Sequence, residues 1–412
     1  MQDKTQPSNL DYKKKYTLKQ MELNSLLEIT QAINNNMAED KLYKIYEFTI
    51  RANLNISQLL LIVKEDEDWD QKVLFGVKSM EDILLEKSYL EINKVTEIKN
   101  PHDLGGFEWV IPVKHKKNML AIVFVAQPNG NKMALNTTFL QAISNLIIVA
   151  IENKRLARNR LAEESFRKEL EIAKGVQKLL FPENLPNGSR LKMQASYLPH
   201  HSIGGDYYDY IPINSNQFLF CIADVSGKGI PAAIMMSNFQ AALRTLLRQT
   251  SNLTEIVEAL NFQIMENAKG DQFITFFGAI YDHKLNTLVY VNSGHNPPLL
   301  VNHKGEFMEL TEGSTVLGAF EELPFINEGF IDNIDGFTLL AYTDGLTETE
   351  NPEGEELGSE SIEAYFKANY HKSLNHIHKD LLKMVDDFRV AVPYRDDITM
   401  LSCKVEAKLN VS

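Results

Sequence analysis

The chain has 412 residues, 44% of them apolar and 24% charged, with a formal net charge of −13. Such a length exceeds one ordinary core and points to two domains with a connector. The negative balance excludes nucleic-acid or anionic-membrane binding through a bulk positive field. Two cysteines, Cys221 and Cys403, cannot build a four-cysteine zinc site or an ordinary iron–sulfur cluster, and they are expected as buried free thiols.

The opening MQDKTQPSNLDYKKKY lacks the apolar segment of a signal peptide. No run approaches the roughly 18 apolar residues of a membrane span, so no membrane association and a cytoplasmic location are expected. Residues 1–15 are expected to be disordered. Leu18, Met21, Leu26, Ile29 and Ile33 recur at helical spacing and predict a helix to about Asn34. A second helix is expected from Ala38 through Leu54. The period then changes to that of strands at SQLLLIVKED and WDQKVLFGV, followed by the hairpin-like EWVIPVKHKKNMLAIVFVA with its polar turn at His115–Asn118. A long helix follows Asn136-Thr137, its stripe made by Leu140, Ile143, Ile147, Ala150 and Ile151. This order of elements over residues 16–152 resembles a GAF-type sensor domain. The resemblance implies an unknown sensor ligand or partner there. No cysteine precedes residue 221, which excludes covalent bilin attachment in this part.

The long helix is expected to continue through residues 153–187 as a charged linker ended by Pro182 and Pro186. Leu156, Leu161, Phe166, Leu170 and Val176 give it a coiled-coil-like character without a clean heptad, and a homodimer through this helix is expected. Strands return at LKMQASYLP and FLFCIADV. Two helical runs, PAAIMMSNFQAALRTLLRQ and LTEIVEALNFQIMENA, separate them from a second strand block at FITFFGAIYD, TLVYVNSG, PLLVN and GFTLLAYTD. A helical pair over about 359–391 and the strand DITMLSCKV close the domain, and 407–412 form a tail. Strand block, helix pair, strand block, helices and strand suggest two packed sheets with helices outside.

Four phrases in this half share one form: Gly204-Gly205-Asp206, Ala223-Asp224-Val225-Ser226-Gly227-Lys228-Gly229, Tyr342-Thr343-Asp344-Gly345 and Arg395-Asp396-Asp397-Ile398-Thr399. Each sets an Asp where an apolar strand begins or ends, in two of them directly beside glycine. One such Asp is a turn residue. Four converging carboxylates would repel one another unless cations sit between them, and hard divalent ions take oxygen ligands. A metal pair about 4 Å apart activates water for attack on phosphorus without a histidine or cysteine nucleophile.

The phrases GGDYYD, ADVSGKGIPAA, NSGHNPP, YTDGLTE and RDDIT, in this order over residues 188–406, resemble the metal-dependent protein phosphatase (PPM) family in its bacterial SpoIIE-like branch. The resemblance implies an α+β chain: a GAF-like α/β sensor domain, a helical linker and a PPM-type β-sandwich flanked by helices. It implies a serine/threonine phosphatase with a two-metal centre of Mn2+ or Mg2+. By the same resemblance Asp206, Asp224, Asp344 and Asp396 are expected to carry catalysis as metal ligands, with the Val225 carbonyl, and Asp397 as an alternative to Asp396. It further implies a phosphorylated protein substrate such as an anti-sigma-factor antagonist. The chain departs from the eukaryotic members by placing Ser226 where they have a histidine, and by lacking a clear N-terminal phosphate-gripping arginine.

Rival readings fare worse. Ser226-Gly227-Lys228-Gly229 has Gly where a P-loop needs Ser or Thr. Gly204-Gly205-Asp206 is followed by Tyr-Tyr instead of the Glu-Phe of diguanylate cyclases. No G-x-S-x-G elbow occurs. His295 is expected to shape a rigid turn. The serious alternative is a catalytically inactive phosphatase fold that binds a partner.

Overall fold

A computed structural model describes residues 9–65, 68–77, 92–99, 101–128 and 135–407. The chain divides into two units, Met1–Glu164 and Ser165–Ser412, each with its own core.

In the first unit, α1 (Asn9–Asn34) and α2 (Glu39–Asn53) precede β1 (Gln58–Glu65) and β2 (Asp68–Phe75). β3 (Thr96–Glu97), β4 (Trp109–His115) and β5 (Asn118–Ala126) complete an antiparallel sheet of order β2-β1-β5-β4-β3. α1 starts at Asn9, so the disorder expected for 1–15 is corrected for 9–15; residues 1–8 lie outside the described residues. The β4–β5 hairpin closes with His115 opposite Asn118, and Lys116 takes a left-handed φ of 57°. β1 is apolar along its whole middle because both faces are covered: Leu59, Leu61 and Val63 join the helices, while Leu60 and Ile62 pack with Phe107, Val110 and Phe124. α2 is tied to α3 (Thr137–Lys178) by a buried Tyr46–Ser144 hydroxyl pair at 2.7 Å. The boundary between units falls within α3. Beyond Ile151 its large apolar side chains Leu156, Leu161, Phe166 and Val176 are exposed.

The second unit is a four-layer stack. One sheet runs β13-β10-β9-β8-β7, with β14 paired to β10. Its strands are β7 (Tyr207–Pro212), β8 (Gln217–Val225), β9 (Ile274–Asp282), β10 (Thr287–Ser293), β13 (Gly313–Ser314) and β14 (Gly329–Ile331). The other runs β12-β11-β15-β16-β6, from β6 (Leu191–Leu198), β11 (Leu299–Asn302), β12 (Phe307–Glu309), β15 (Phe337–Tyr342) and β16 (Ile398–Val405). Phe220, Ile222, Phe277, Leu339 and Leu401 fill the space between the sheets. α4 (Ile230–Leu246) and α5 (Leu253–Ala268) cover the first sheet through Met236, Phe239 and Leu260. α6 (Ser359–Asn369) and α7 (Leu374–Arg389) cover the second through Phe366 and Leu381. The sandwich flanked by helices is therefore present. Cys221 and Cys403 are both free and fully buried. Among the described residues no helix is long and apolar enough to cross a membrane.

β7 carries no strand signature in the sequence because a fully buried carboxylate interrupts it. Asp209 accepts two hydrogen bonds from Arg244 of α4, Nε to Oδ2 at 2.7 Å and an Nη to Oδ1 at 2.9 Å, and a short one from the Tyr207 hydroxyl. A bidentate pair of this kind clamps helix to sheet. Asp209→Ala strands Arg244 and Tyr207, and Arg244→Met strands the buried carboxylate. Each is expected to destabilise the second unit by on the order of 3 kcal/mol, read by calorimetry as a lowered unfolding midpoint.

Candidate active site

Asp206 precedes β7, Asp224 is the penultimate residue of β8, Asp344 opens a short 3-10 turn after β15, and Asp396 precedes β16. The site thus lies where neighbouring strand ends of the two sheets meet. Asp206 is 1% exposed. Its Oδ2 accepts hydrogen bonds from the hydroxyls of Thr343, at 3.0 Å, and Thr399. These threonines are themselves joined, Thr399 N donating to Thr343 Oγ1 at 2.9 Å and Thr343 N to the Thr399 carbonyl at 3.0 Å. An aspartate of one sheet is thereby fastened to the other sheet. Its second oxygen, Oδ1, is buried with no protein donor.

The sequence reading did not single out Thr343 or Thr399. Each stands beside a candidate ligand, but its partner is 137 or 193 residues away.

Burial pushes the Asp206 carboxyl well up, and the charges of Asp224 and Asp397 push it further. Burial and the Asp344 charge raise Asp224 to about 7. Burial and then Asp396 raise Asp344. All three carboxyls respond to the same two causes, lost water and nearby negative charge.

The two adjacent aspartates part company. Asp397 is 7% exposed. Its oxygens accept from His200 N at 2.7 Å and Gly205 N at 2.9 Å, which fixes the loop leading to Asp206. Asp396 is more open and pairs with Lys228 Nζ at 2.8 Å. Asp397 is thus committed to backbone donors of the protein, while Asp396 keeps an outward carboxylate beside Lys228.

Glycines 204 and 205 serve that support. A Cβ on Gly204 would stand 1.9 Å from Asp397 Oδ2, and one on Gly205 2.8 Å from the Val225 carbonyl. They admit neighbouring protein atoms. Gly345 is needed for a similar reason, since a Cβ there would meet the Asp397 carbonyl at 2.1 Å.

Ser226 and His295 are not aimed at the carboxylates. Ser226 Oγ accepts from Phe273 N at 2.9 Å, stapling β8 to β9. His295 is buried, bonded through Nδ1 to Thr275 Oγ1 at 2.9 Å, and burial lowers it to about 3, so it stays neutral as a turn-shaping group.

The donor set is all oxygen: four carboxylates, among them the orphaned Asp206 Oδ1, and the Val225 carbonyl. It suits Mg2+ or Mn2+ better than a softer metal. Among the described residues no three acidic, histidine or cysteine groups form a ready-made cage. The carboxylates raise one another's pKa at close range, and Lys228 pairs with the outermost, Asp396.

The folded Asp224 keeps its proton to about pH 7, whereas an unfolded aspartate releases it near pH 3.9. Its contribution to stability is therefore greatest in acid and is lost as pH rises from about 4 through 7. Melting in EDTA should show a midpoint that falls over this window, and Asp224→Asn should flatten the fall and raise the midpoint at pH 8. Asp397→Ala should lower the midpoint at every pH, by about 1–3 kcal/mol for the donors it strands; Asp396→Ala should not.

Residues 214–406 match the family model described as Stage II sporulation protein E (SpoIIE). The chain is 29% identical over 248 residues to the phosphoserine phosphatase RsbU of Bacillus subtilis, covering 58% of this chain and 70% of RsbU. It is 28% identical over 184 residues to the phosphoserine phosphatase RsbP of the same organism, 44% of this chain and 45% of RsbP. Among solved structures, the SiaA-PP2C domain of Pseudomonas aeruginosa superposes with a TM-score of 0.53 at 18% identity, over 60% of this chain and 99% of that one. The C-terminal unit thus matches SpoIIE in sequence over residues 214–406 and shares the fold of the SiaA-PP2C domain.

Proposed function

We propose that this protein is a metal-dependent serine/threonine phosphatase acting on a phosphorylated protein such as an anti-sigma-factor antagonist. The observation that carries the reading is the mutually repelling set of the buried Asp206 and the half-buried Asp224 and Asp344, with Asp396 at its edge. A fold that only bound partners would gain stability by losing these charges, yet every one is kept. The names of RsbU and RsbP support the same substrate chemistry.

Asp206, Asp224, Asp344, Asp396 and the Val225 carbonyl would hold Mn2+ or Mg2+. When bound, the metal supplies charge that offsets the carboxylates and lowers the pKa of a water for attack on phosphorus. The chain's own residues do the positioning. Thr343 and Thr399 orient one Asp206 oxygen and leave the other free. Asp397 holds the loop before Asp206. Lys228 keeps a positive charge beside Asp396 where an anionic phosphoryl group would approach. With Ser226 bonded to β9 and His295 neutral and buried, the leaving oxygen takes its proton from water or from the substrate protein.

The first unit, in this reading, is a GAF-like sensor whose helix–sheet–helix order supports the assignment, and α3 is the route by which it regulates the phosphatase. The exposed Leu156, Leu161, Phe166 and Val176 support a homodimer through that helix. A cytoplasmic location fits an intracellular phosphoprotein substrate.

The test is hydrolysis of p-nitrophenyl phosphate and of a phosphoserine protein, with Mn2+ and with EDTA. Turnover should require metal, and Asp224→Asn should lose roughly 100-fold or more in kcat/KM. A full-length chain that folds and is inert with either metal on both substrates would instead be the partner-binding module.

A further inference from the structure

Between Ile151 and Leu180 one residue of the helical segment is buried, and it is polar. Gln177, in the last turn of α3, is 7% exposed while its neighbours Val176 and Lys178 face solvent. A buried polar side chain on an otherwise exposed stretch is informative. Its Nε2 donates to the Gly204 carbonyl at 2.7 Å, and its Oε1 accepts from Gly204 N at 3.4 Å. The amide grips both backbone groups of a single glycine.

That glycine lies two residues before Asp206. The next residue, Gly205, donates its N–H to Asp397 at 2.9 Å and packs against the Val225 carbonyl. The segment 204–206 is thus held from two sides, by a neutral amide from the helix and by a carboxylate from the strand end. The helix end is seated by further contacts: Gln240 Nε2 donates to the Leu180 carbonyl at 3.3 Å, and Phe181 stacks against Tyr197, Tyr207 and Tyr208 at centroid distances of 5.2, 6.1 and 4.9 Å.

We infer that Gln177 is a positioning residue for Asp206: its amide fixes the Gly204 backbone, and through it the direction of the Asp206 carboxylate toward the metal. The inference rests on the phosphatase reading, because positioning matters only if Asp206 binds an ion. Removing the amide takes away the two hydrogen bonds by which Gln177 holds the backbone of that glycine.

The test uses the full chain, with Gln177→Met removing both hydrogen bonds at nearly constant volume. The exposed Lys174→Met on the same helix serves as control. Two quantities are read: the Mn2+ concentration giving half-maximal p-nitrophenyl phosphate hydrolysis, and amide exchange in EDTA over a peptide spanning residues 203–208. Gln177→Met should raise the Mn2+ requirement about tenfold, as supporting residues around metal ligands do, with a smaller change in kcat at saturating metal. Exchange at 204–206 should quicken, while Lys174→Met should match wild type in both.

Should Gln177→Met fail to fold, Gln177→Asn, which keeps the amide but shortens its reach, should show the same Mn2+ shift. A wild type that responds to Mn2+ beside a folded Gln177 variant with an unchanged Mn2+ requirement and unchanged exchange overturns the inference alone. A wild type inert with every metal overturns the phosphatase reading and this inference with it.

Discussion

Crowding of negative charge at the meeting ends of two sheets is the constraint around which the second unit is built. Three carboxylates are desolvated within reach of one another's fields, so each is harder to ionise than in water. The surrounding structure tolerates this by spending its polar groups there. Two threonine hydroxyls take one oxygen of Asp206. Two backbone N–H groups take Asp397. One lysine offsets Asp396. Local stability is given up at this end of the sandwich, while the core between the sheets and the Asp209–Arg244 clamp hold the rest.

Much of this was legible in the sequence because it rests on local pattern. Apolar runs bounded by Gly, Asn and Asp marked most strands, and the run beginning at Leu253 marked α5 to the residue. The four aspartates stood out because each ends a core strand. What stayed hidden depends on contacts between distant positions. Nothing local tells a threonine that orients Asp206 from an ordinary strand threonine, or Gln177 from the other polar residues of a charged helix. The pair Asp396-Asp397 was ambiguous for a geometric reason. Adjacent residues at a strand end point to different sides, and only the placement of the 200–205 loop shows which side is which. β7 was missed because the pattern assumes apolar residues inside, and its inward positions are Tyr207 and Asp209.

The first unit obeys a simpler logic. Its sheet is covered on both faces, so its central strands read as unbroken apolar runs and not as alternation. Helix α3 changes character along its length. Up to Ile151 it supplies core side chains, and beyond it the surface is mixed charge with isolated large apolar residues. One continuous element therefore carries two kinds of face, the first settled by its own unit's core and the second left for water or another surface.

The two cysteines have a consequence for how such a protein meets oxidants. Cys221 lies in the strand that ends at Asp224 and Val225, yet burial raises its thiol well above the usual range, and burial raises Cys403 likewise. Reaction with peroxide or with alkylating agents needs an accessible thiolate, and neither sulfur offers one. The carboxylate site itself contains nothing that peroxide oxidises. Redox stress that silences enzymes with a cysteine nucleophile would leave this chemistry intact, so a cell could keep such a signalling step running while its thiol-dependent steps are shut down.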